Sequence, residues 1–468
     1  MTNIIINNNF ETHDLLGVGI GPFNLSLAAL LSPLPNIESK FFDARDSFIW
    51  HAGQLLPDAE IQVSHLKDLV TLVDPTNPYS FLAYLRKHKR LYRFINGKFS
   101  HVLRKEFSQY FNWVSQSLTN LHFGEAVQDL QFKKTHFVMQ TTERIIKGKH
   151  LSLGSGLAAN VPPCAKPHLG DTVYHVKDFL KKGNQWKGKS IAIVGGGQSG
   201  AEIVQALIAD DKNLPSAINW ISSRDHFAPM DESVFANEIF TPNYSNFFYA
   251  LEPGTKAQLV KQQTLASDGI SNKLLDAIYQ RLYYLECIEQ LPKIVHFLSN
   301  HQLTDIDANN GSHQLILNQQ LSQATSIVNA DIVILATGYK WQFPAYLSGL
   351  SDKIHLENGH FVVNEDFSIQ WDGPQQNKIF VQNAARHSHG VADPNLSLMS
   401  WRSATIINSV AGETIYDLEG ESSAMNWHAL NSGVKGAKEP VGPSYTSAAS
   451  VVPFIHPAQM EVSATWKT

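Results

Sequence analysis

The stretch Asp14-Leu15-Leu16-Gly17-Val18-Gly19-Ile20-Gly21-Pro22-Phe23-Asn24 decides how the rest of the chain is read. A short apolar run enters it as a buried strand. Leu25, Leu27, Ala28, Ala29, Leu30 and Leu31 leave it at helical spacing. Between strand and helix, Gly17 permits a tight turn and Gly19 lets the backbone approach a pyrophosphate. The helix N-terminus then offers free N–H groups and the positive end of its dipole. The third position of this dinucleotide fingerprint should be Gly, and the chain has Pro22 there. The acidic residue expected about twenty positions further on is present as Asp43, at the end of Lys40-Phe41-Phe42-Asp43, placed for a ribose hydroxyl.

A second turn is complete. Ser190-Ile191-Ala192-Ile193-Val194 runs into Gly195-Gly196-Gly197-Gln198-Ser199-Gly200, with the pattern glycines at Gly195, Gly197 and Gly200. The next strand, Ala217 to Ile221, ends in Ser222-Ser223-Arg224. An NAD site carries Asp or Glu at that place, whereas Arg224 suits the 2′-phosphate of NADP. A serine nucleophile elbow at Ser199 needs Gly at its fifth position, and Ala201 stands there. Two such turns in one chain are the plan of flavoproteins in which a nicotinamide-binding unit is inserted within a flavin-binding one. Asp331-Ile332-Val333-Ile334-Leu335-Ala336-Thr337-Gly338-Tyr339 reads as the strand that closes the insert.

Composition bounds the remaining choices. With 468 residues the chain has room for two or three domains. A net charge of −5 argues against nucleic acid as a partner. Cys164 and Cys287 are too few for a disulfide framework, which fits a cytoplasmic protein. They are also too isolated for the redox pair of a flavin disulfide reductase. No apolar run approaches the ~20 residues of a membrane helix, so no stable membrane insertion is expected. Residues 1–13 read as a flexible leader and 433–468, rich in Ser, Ala, Pro and Gly, as a loose tail.

The expected fold is α/β, with two dinucleotide-binding Rossmann-like domains, the NADPH domain inserted into the FAD domain, and a small helical substrate region. The expected boundaries are 14–167 and 339–432 for the FAD domain and 168–338 for the NADPH domain, with the helical insert at about 228–290. Trp50 and His51 lie in a loop whose large side chains suit a flat ligand. Ser80 is placed to cap a helix to His88, Arg104 to Trp113 looks amphipathic, and Ala126 to Thr141 reads as a hairpin. Leu396 and Ser397 begin a late helix whose start faces the flavin in this plan. His387 and His389 lack a carboxylate or Cys companion, so no metal is expected.

At this point the chain resembles the flavin-dependent N-hydroxylating monooxygenases of siderophore biosynthesis, the lysine and ornithine N-monooxygenases. The resemblance rests on Gly17-x-Gly19-x-Gly21-Pro22-x-Asn24, Trp50-His51-x-Gly53, Leu66-Lys67-Asp68-Leu69, Gly195-Gly196-Gly197-Gln198-Ser199, Ala336-Thr337-Gly338-Tyr339 and His389-Gly390. Pro22 is normal in that family. Asn77-Pro78-Tyr79-Ser80-Phe81 looks most like the lysine N6-hydroxylases.

The resemblance implies that NADPH reduces FAD and that O2 then forms a C4a-hydroperoxyflavin. The distal oxygen of that species passes to an uncharged primary amine. It further implies that Gly17, Gly19, Gly21, Pro22, Asn24, Asp43, Trp50, His51, Gln62, Leu396 and Ser397 attend the flavin. Gly195, Gly197, Gln198, Ser199, Gly200, Arg224, Thr337, Gly338 and Tyr339 complete the cofactor sites. Gln62 and Asn237 fall at catalytic positions, Asn237 also contacting the amine. Lys67 falls where amino-acid hydroxylases pair a lysine with the substrate carboxylate, which favours L-lysine. Asp268 and Asp393 lie near the expected pocket and could hold a second ammonium, which keeps putrescine, cadaverine, diaminopropane, histamine and L-ornithine open. A non-catalytic dinucleotide sensor is the alternative of a different class, and a homo-oligomer, tetramer or dimer, is expected.

Overall fold

The computed structural model describes residues 12–183, 185–309, 311–420 and 423–428. The tail at 433–468 and most of the leader lie outside these residues, although Thr12 and His13 already belong to the first strand.

Two sheets carry the fold, the first mixed and the second parallel. The first has seven strands and is built around Thr12–Val18, which pairs in parallel with Ser39–Phe42 on one side and Ile145–Leu153 on the other. The nine-residue strand Ile145–Leu153 shares its far edge between two neighbours. Its first half pairs antiparallel with His136–Thr141, part of the expected hairpin, and its last residues pair in parallel with Ile379–Val381. A strand from near the end of the chain thus returns to the first sheet.

The five strands of the second sheet come from the sequence in between. Their order is Val295–Leu298, Ala217–Ile221, Ser190–Val194, Ile332–Leu335, Val173–His175, all parallel. One Rossmann-like unit is therefore inserted in another. Parallel strands are buried on both faces, which is why Ile191-Ala192-Ile193-Val194 and Ile332-Val333-Ile334-Leu335 are continuous apolar runs. One face packs on Ile203, Val204 and Leu207 of the helix Gln198–Ile208 and on Leu274, Ile278 and Leu282 of the helix Asn272–Tyr283. The other face packs on an antiparallel three-stranded sheet, His301–Asn309, Ser312–Gln319 and Thr325–Ala330, through Leu303, Ile306, Leu315 and Leu317.

The helix Arg104–Ser117 buries Phe107, Tyr110, Phe111 and Val114, the i, i+3, i+4, i+7 stripe expected of an amphipathic helix. Each such side chain contributes about 1.5–3 kcal/mol of apolar burial. Ser80 caps Phe81–Lys87 by accepting a hydrogen bond from the Ala83 N–H at 3.1 Å. The helical segment of the second half comprises Ala236–Phe240, Pro242–Tyr249, Pro253–Gln262, Thr264–Asp268 and Asn272–Tyr283. Among the described residues no helix is long and apolar enough to cross a membrane.

Candidate active site

The first glycine turn is shaped by what surrounds it. A Cβ on Gly17 would sit 2.0 Å from the Phe41 ring. Gly19 has φ +81°, and a Cβ there would lie 2.5 Å from the Gly154 carbonyl oxygen. A Cβ on Gly21 would make only an ordinary contact, 3.9 Å from the Gly154 carbonyl oxygen, and Gly21 serves as N-cap of the helix Pro22–Leu31. Pro22 follows at the first helical position, where the missing N–H is one the helix could not use.

Asn24 is fully buried behind this turn. Its Nδ2 donates to the Gly19 carbonyl at 2.7 Å, and its Oδ1 accepts from the Ser152 hydroxyl at 2.7 Å. Both ends of this amide hold the turn.

Asp43 stands at the end of the second strand as spacing required, and it is clasped by Arg45. Its Oδ2 accepts from the Ile20 N–H at 2.7 Å and pairs with Arg45 Nη2 at 2.6 Å, while Oδ1 accepts from Arg45 N and Nε, each at 2.9 Å. Burial pushes this carboxyl up, but the Arg45 guanidinium and the two backbone donors outweigh it and hold the pKa below its ordinary value.

Asp43, Gly19, Gly21, Pro22, Trp50 and His51 line a cavity of ≈ 860 Å³ across the carboxyl ends of the first sheet. That is the upper range of cofactor sites. A second cleft of ≈ 310 Å³ adjoins it, sharing Trp50, His51, Tyr339 and Leu396 and adding Gln62, Gln198, Ser199 and Asp268. The Gln62 Nε2 is buried there without a hydrogen-bond partner, as expected of a donor waiting for a ligand. His51 adopts a left-handed backbone, φ +50°. Its side chain is exposed toward the cleft. Loss of hydration, with the Arg104 and Arg45 charges nearby, brings its pKa down to about 4, so the imidazole is neutral.

The second glycine turn is equally tight. A Cβ on Gly195 would meet the Ala336 carbonyl oxygen at 2.1 Å, and one on Gly200 would meet the Gly195 carbonyl oxygen at 2.3 Å. Gly197 caps the helix that follows. Gln198 is held at both ends, donating to Glu202 Oε1 at 3.0 Å and accepting from the Ser271 N–H at 2.9 Å. The Ser199 hydroxyl accepts from Gln54 Nε2 at 3.4 Å. Arg224 ends the strand Ala217–Ile221, but its Nη1 donates to the Asp268 carbonyl at 3.1 Å.

Thr337 and Gly338 bear on the fold more than on the cleft. Thr337 Oγ1 donates to the Asn160 carbonyl at 2.5 Å, and the Gly338 carbonyl accepts from His175 Nε2 at 3.0 Å. Tyr339 remains on the cleft, its hydroxyl donating to Gln54 Oε1 at 3.3 Å.

Lys67 lies beside this region. Its Nζ donates to the Ser397 hydroxyl at 3.0 Å and sits 5.8 Å from the centre of the Phe240 ring. Among the described residues no carboxylate pairs with it. The adjacent Asp68 accepts from the N–H groups of Val70, Thr71 and Phe81 and from the Thr71 hydroxyl, so it does not serve Lys67. Burial lowers the Lys67 pKa. Asn237 is exposed and precedes Phe240 by three residues in a 3₁₀ turn, where i and i+3 share a face.

The two candidate acids for a second ammonium are both matched to arginines. Asp268 pairs with Arg386 at 3.1 Å and accepts from the Ser267 hydroxyl. Asp393, 3% exposed, pairs with the buried Arg402 at 3.0 Å and accepts from the Ala385 N–H at 2.9 Å. Asp393 is thus half of a core ion pair, one residue before Pro394 of the cleft wall. Among the described residues no cluster of His, Cys, Asp and Glu could hold a metal. His387 and His389 instead meet the Phe361 and Glu365 carbonyls.

The family model described as L-lysine 6-monooxygenase/L-ornithine 5-monooxygenase matches residues 11–341. The chain belongs to this family. It is 38% identical to the L-lysine N6-monooxygenase of Escherichia coli over 89% of this chain and 98% of that protein. The crystal structure of an FAD-bound cadaverine monooxygenase of desferrioxamine biosynthesis from Erwinia amylovora superposes with a TM-score of 0.85. The identity is 30%, over 90% of this chain and 99% of that one. An ornithine N-hydroxylase from Kutzneria sp. 744, with reduced FAD, NADP+ and L-ornithine, gives 0.80 at 25% identity, over 86% and 99%.

The enzyme is thus a flavin-dependent N-hydroxylating monooxygenase with FAD and NADPH as cofactors. The glycine cradle, the cavity at the sheet ends and the orphaned Gln62 amide fit an FAD. Sequence reasoning missed Arg45, Gln382 and Arg104. Only Arg45, two residues after Asp43, carried a local signal.

Proposed function

We propose that this enzyme hydroxylates the terminal amine of L-lysine for a hydroxamate siderophore. One observation carries the choice of substrate: Lys67 is a half-buried ammonium whose partner is a neutral hydroxyl. A buried cation without an anion is costly, and a substrate carboxylate removes that cost. The same bookkeeping disfavours a diamine or histamine. A second ammonium or an imidazolium needs an unmatched acid, and Asp268 and Asp393 are both neutralised by arginines. L-ornithine carries the same carboxylate, and similarity over nearly the whole chain favours lysine.

In this reading Asp43, Gly19, Gly21 and Trp50 hold the FAD. Ser199, Gln198 and Tyr339 face the nicotinamide half of NADPH, and Arg224 lies near its ribose. Bound reduced flavin supplies the activation of O2. The chain's own contribution is to orient and to dry the site. Lys67 and Asn237 present the amine, and the Gln62 amide offers its free N–H to the cleft. The neutral His51 adds no charge beside the cofactor. Self-association into a dimer or tetramer is part of the proposal.

The test is a panel of L-lysine, L-ornithine, cadaverine, putrescine and histamine with NADPH, scoring hydroxylated amine instead of NADPH loss. L-lysine should give the highest product per NADPH. A better-coupled diamine would overturn the assignment.

A further inference from the structure

Gln382 follows the strand Ile379–Val381 and is 3% exposed. Its backbone N–H donates to the Leu153 carbonyl at 2.9 Å, extending the parallel ladder. Neither Nε2 nor Oε1 of its side chain has a hydrogen-bond partner. Burying an amide unmatched at both ends is unfavourable unless something else completes it. Gln382 also lines the ≈ 860 Å³ cavity. Asn383, next in the chain, has φ +57° and lines it too.

The order of strands says which part of a cofactor reaches this amide. Ser39–Phe42, Thr12–Val18, Ile145–Leu153 and Ile379–Val381 lie side by side and parallel. With FAD in this cavity, its adenosine ribose lies at Asp43, after the first of these strands. Its pyrophosphate lies at the glycine turn after the second. The other half of the molecule then crosses the ends of the third and fourth strands, where Gly154 and Gln382 stand. The first group there is the ribityl chain, whose hydroxyls both donate and accept. An amide with a free donor and a free acceptor is its complement.

We propose that Gln382 hydrogen-bonds the ribityl hydroxyls of FAD and so positions the flavin. The proposal rests on FAD occupying this cavity. The test reconstitutes apo-protein, wild type and Gln382→Leu, with FAD and with FAD analogues lacking one ribityl hydroxyl (2′-deoxy and 4′-deoxy). Affinity is read from flavin fluorescence quenching and the visible spectrum. The leucine variant should bind FAD about tenfold more weakly, one hydrogen bond's worth. One deoxy analogue should lose a similar factor on wild type and nothing further on the variant.

Equal losses of that analogue on both proteins would overturn the contact and leave the amide to a buried water or to packing. Should Gln382→Leu not fold, Gln382→Met repeats the cycle. Wild type alone also decides the point, since indifference to every deoxy analogue refutes the proposal. Failure of wild type to bind FAD at all would instead refute the cofactor placement.

Discussion

Replacing Lys67 by Met removes the ammonium and keeps most of the apolar stem. In the free enzyme the charge has Ser397 at 3.0 Å and the Phe240 ring at 5.8 Å, and no anion among the described residues. A substrate carboxylate arriving there makes a charge-assisted hydrogen bond, worth about 1.5–3 kcal/mol. Loss of it corresponds to roughly a 10- to 150-fold fall in kcat/KM for L-lysine. Cadaverine has the same reacting end and no carboxylate, so its kcat/KM should change by less than about twofold if the lost term is only this bond. The assay is hydroxylamine formation, which ignores uncoupled NADPH consumption.

A pH signature accompanies the kinetic one. Burial lowers the Lys67 pKa, so the ammonium is lost as pH rises through a value below 10.5. The KM for L-lysine should therefore climb on the alkaline side in wild type and stay flat in Lys67→Met. An equal loss on lysine and cadaverine would refute the reasoning, because the ammonium would then be serving the flavin or the fold.

His150 and His389 are buried and neutral, each with its pKa brought down to about 4 by loss of hydration. The unfolded chain binds those protons from 6.5 downward and the folded one does not, so stability falls as pH drops from 6.5 to about 4, by on the order of 3 kcal/mol per histidine. Urea midpoints at pH 7.5 and 5 should differ accordingly, and a flat profile would contradict the burial of neutral imidazoles. Arg402→Met alone leaves Asp393 buried without its cation and should cost about 3–5 kcal/mol, seen as a large drop in Tm. The double variant with Asp393→Leu should recover most of it. Gly53→Ala puts a Cβ 1.8 Å from the Lys177 carbonyl oxygen, backbone that cannot swing away, and should lower both Tm and retained FAD.

What the sequence disclosed was local. The strand, turn and helix around Gly17–Asn24 follow from a run of apolar residues broken by glycines, and the buried stripe of Arg104–Ser117 follows from its spacing. Asp43 was legible because strand, helix and strand have a fixed combined length. Its clasp by Arg45 was not, since it needs the loop after the strand to turn back on itself. The hydrogen bond of Asn24 to Ser152 was not legible either, since the two residues lie 128 positions apart. Arg224 had the right place for a phosphate, and its bond to the Asp268 carbonyl depends on a helical segment whose packing no periodicity predicts. Gln382 gave no signal at all, because its importance arises only when Val381 pairs with Leu153.

The joint between the two halves shows why such long-range contacts matter for the chemistry. Arg104 opens a helix of the first half and grips Glu202, on the helix after the second glycine turn, with bonds of 2.7 and 3.1 Å. Both side chains are largely buried. Such a pair adds little net stability, since desolvation offsets most of the attraction, yet separating it strands two charges in a dry place. Arg104 also donates to the Gln54 carbonyl, and the Gln54 side chain spans from Ser199 to Tyr339. The cleft is thereby closed by polar groups that are satisfied in one relative placement of the two halves and unsatisfied in others. Oxygen transfer to a neutral amine fails when water enters, so a seam whose polar groups are satisfied only in the closed placement suits this reaction.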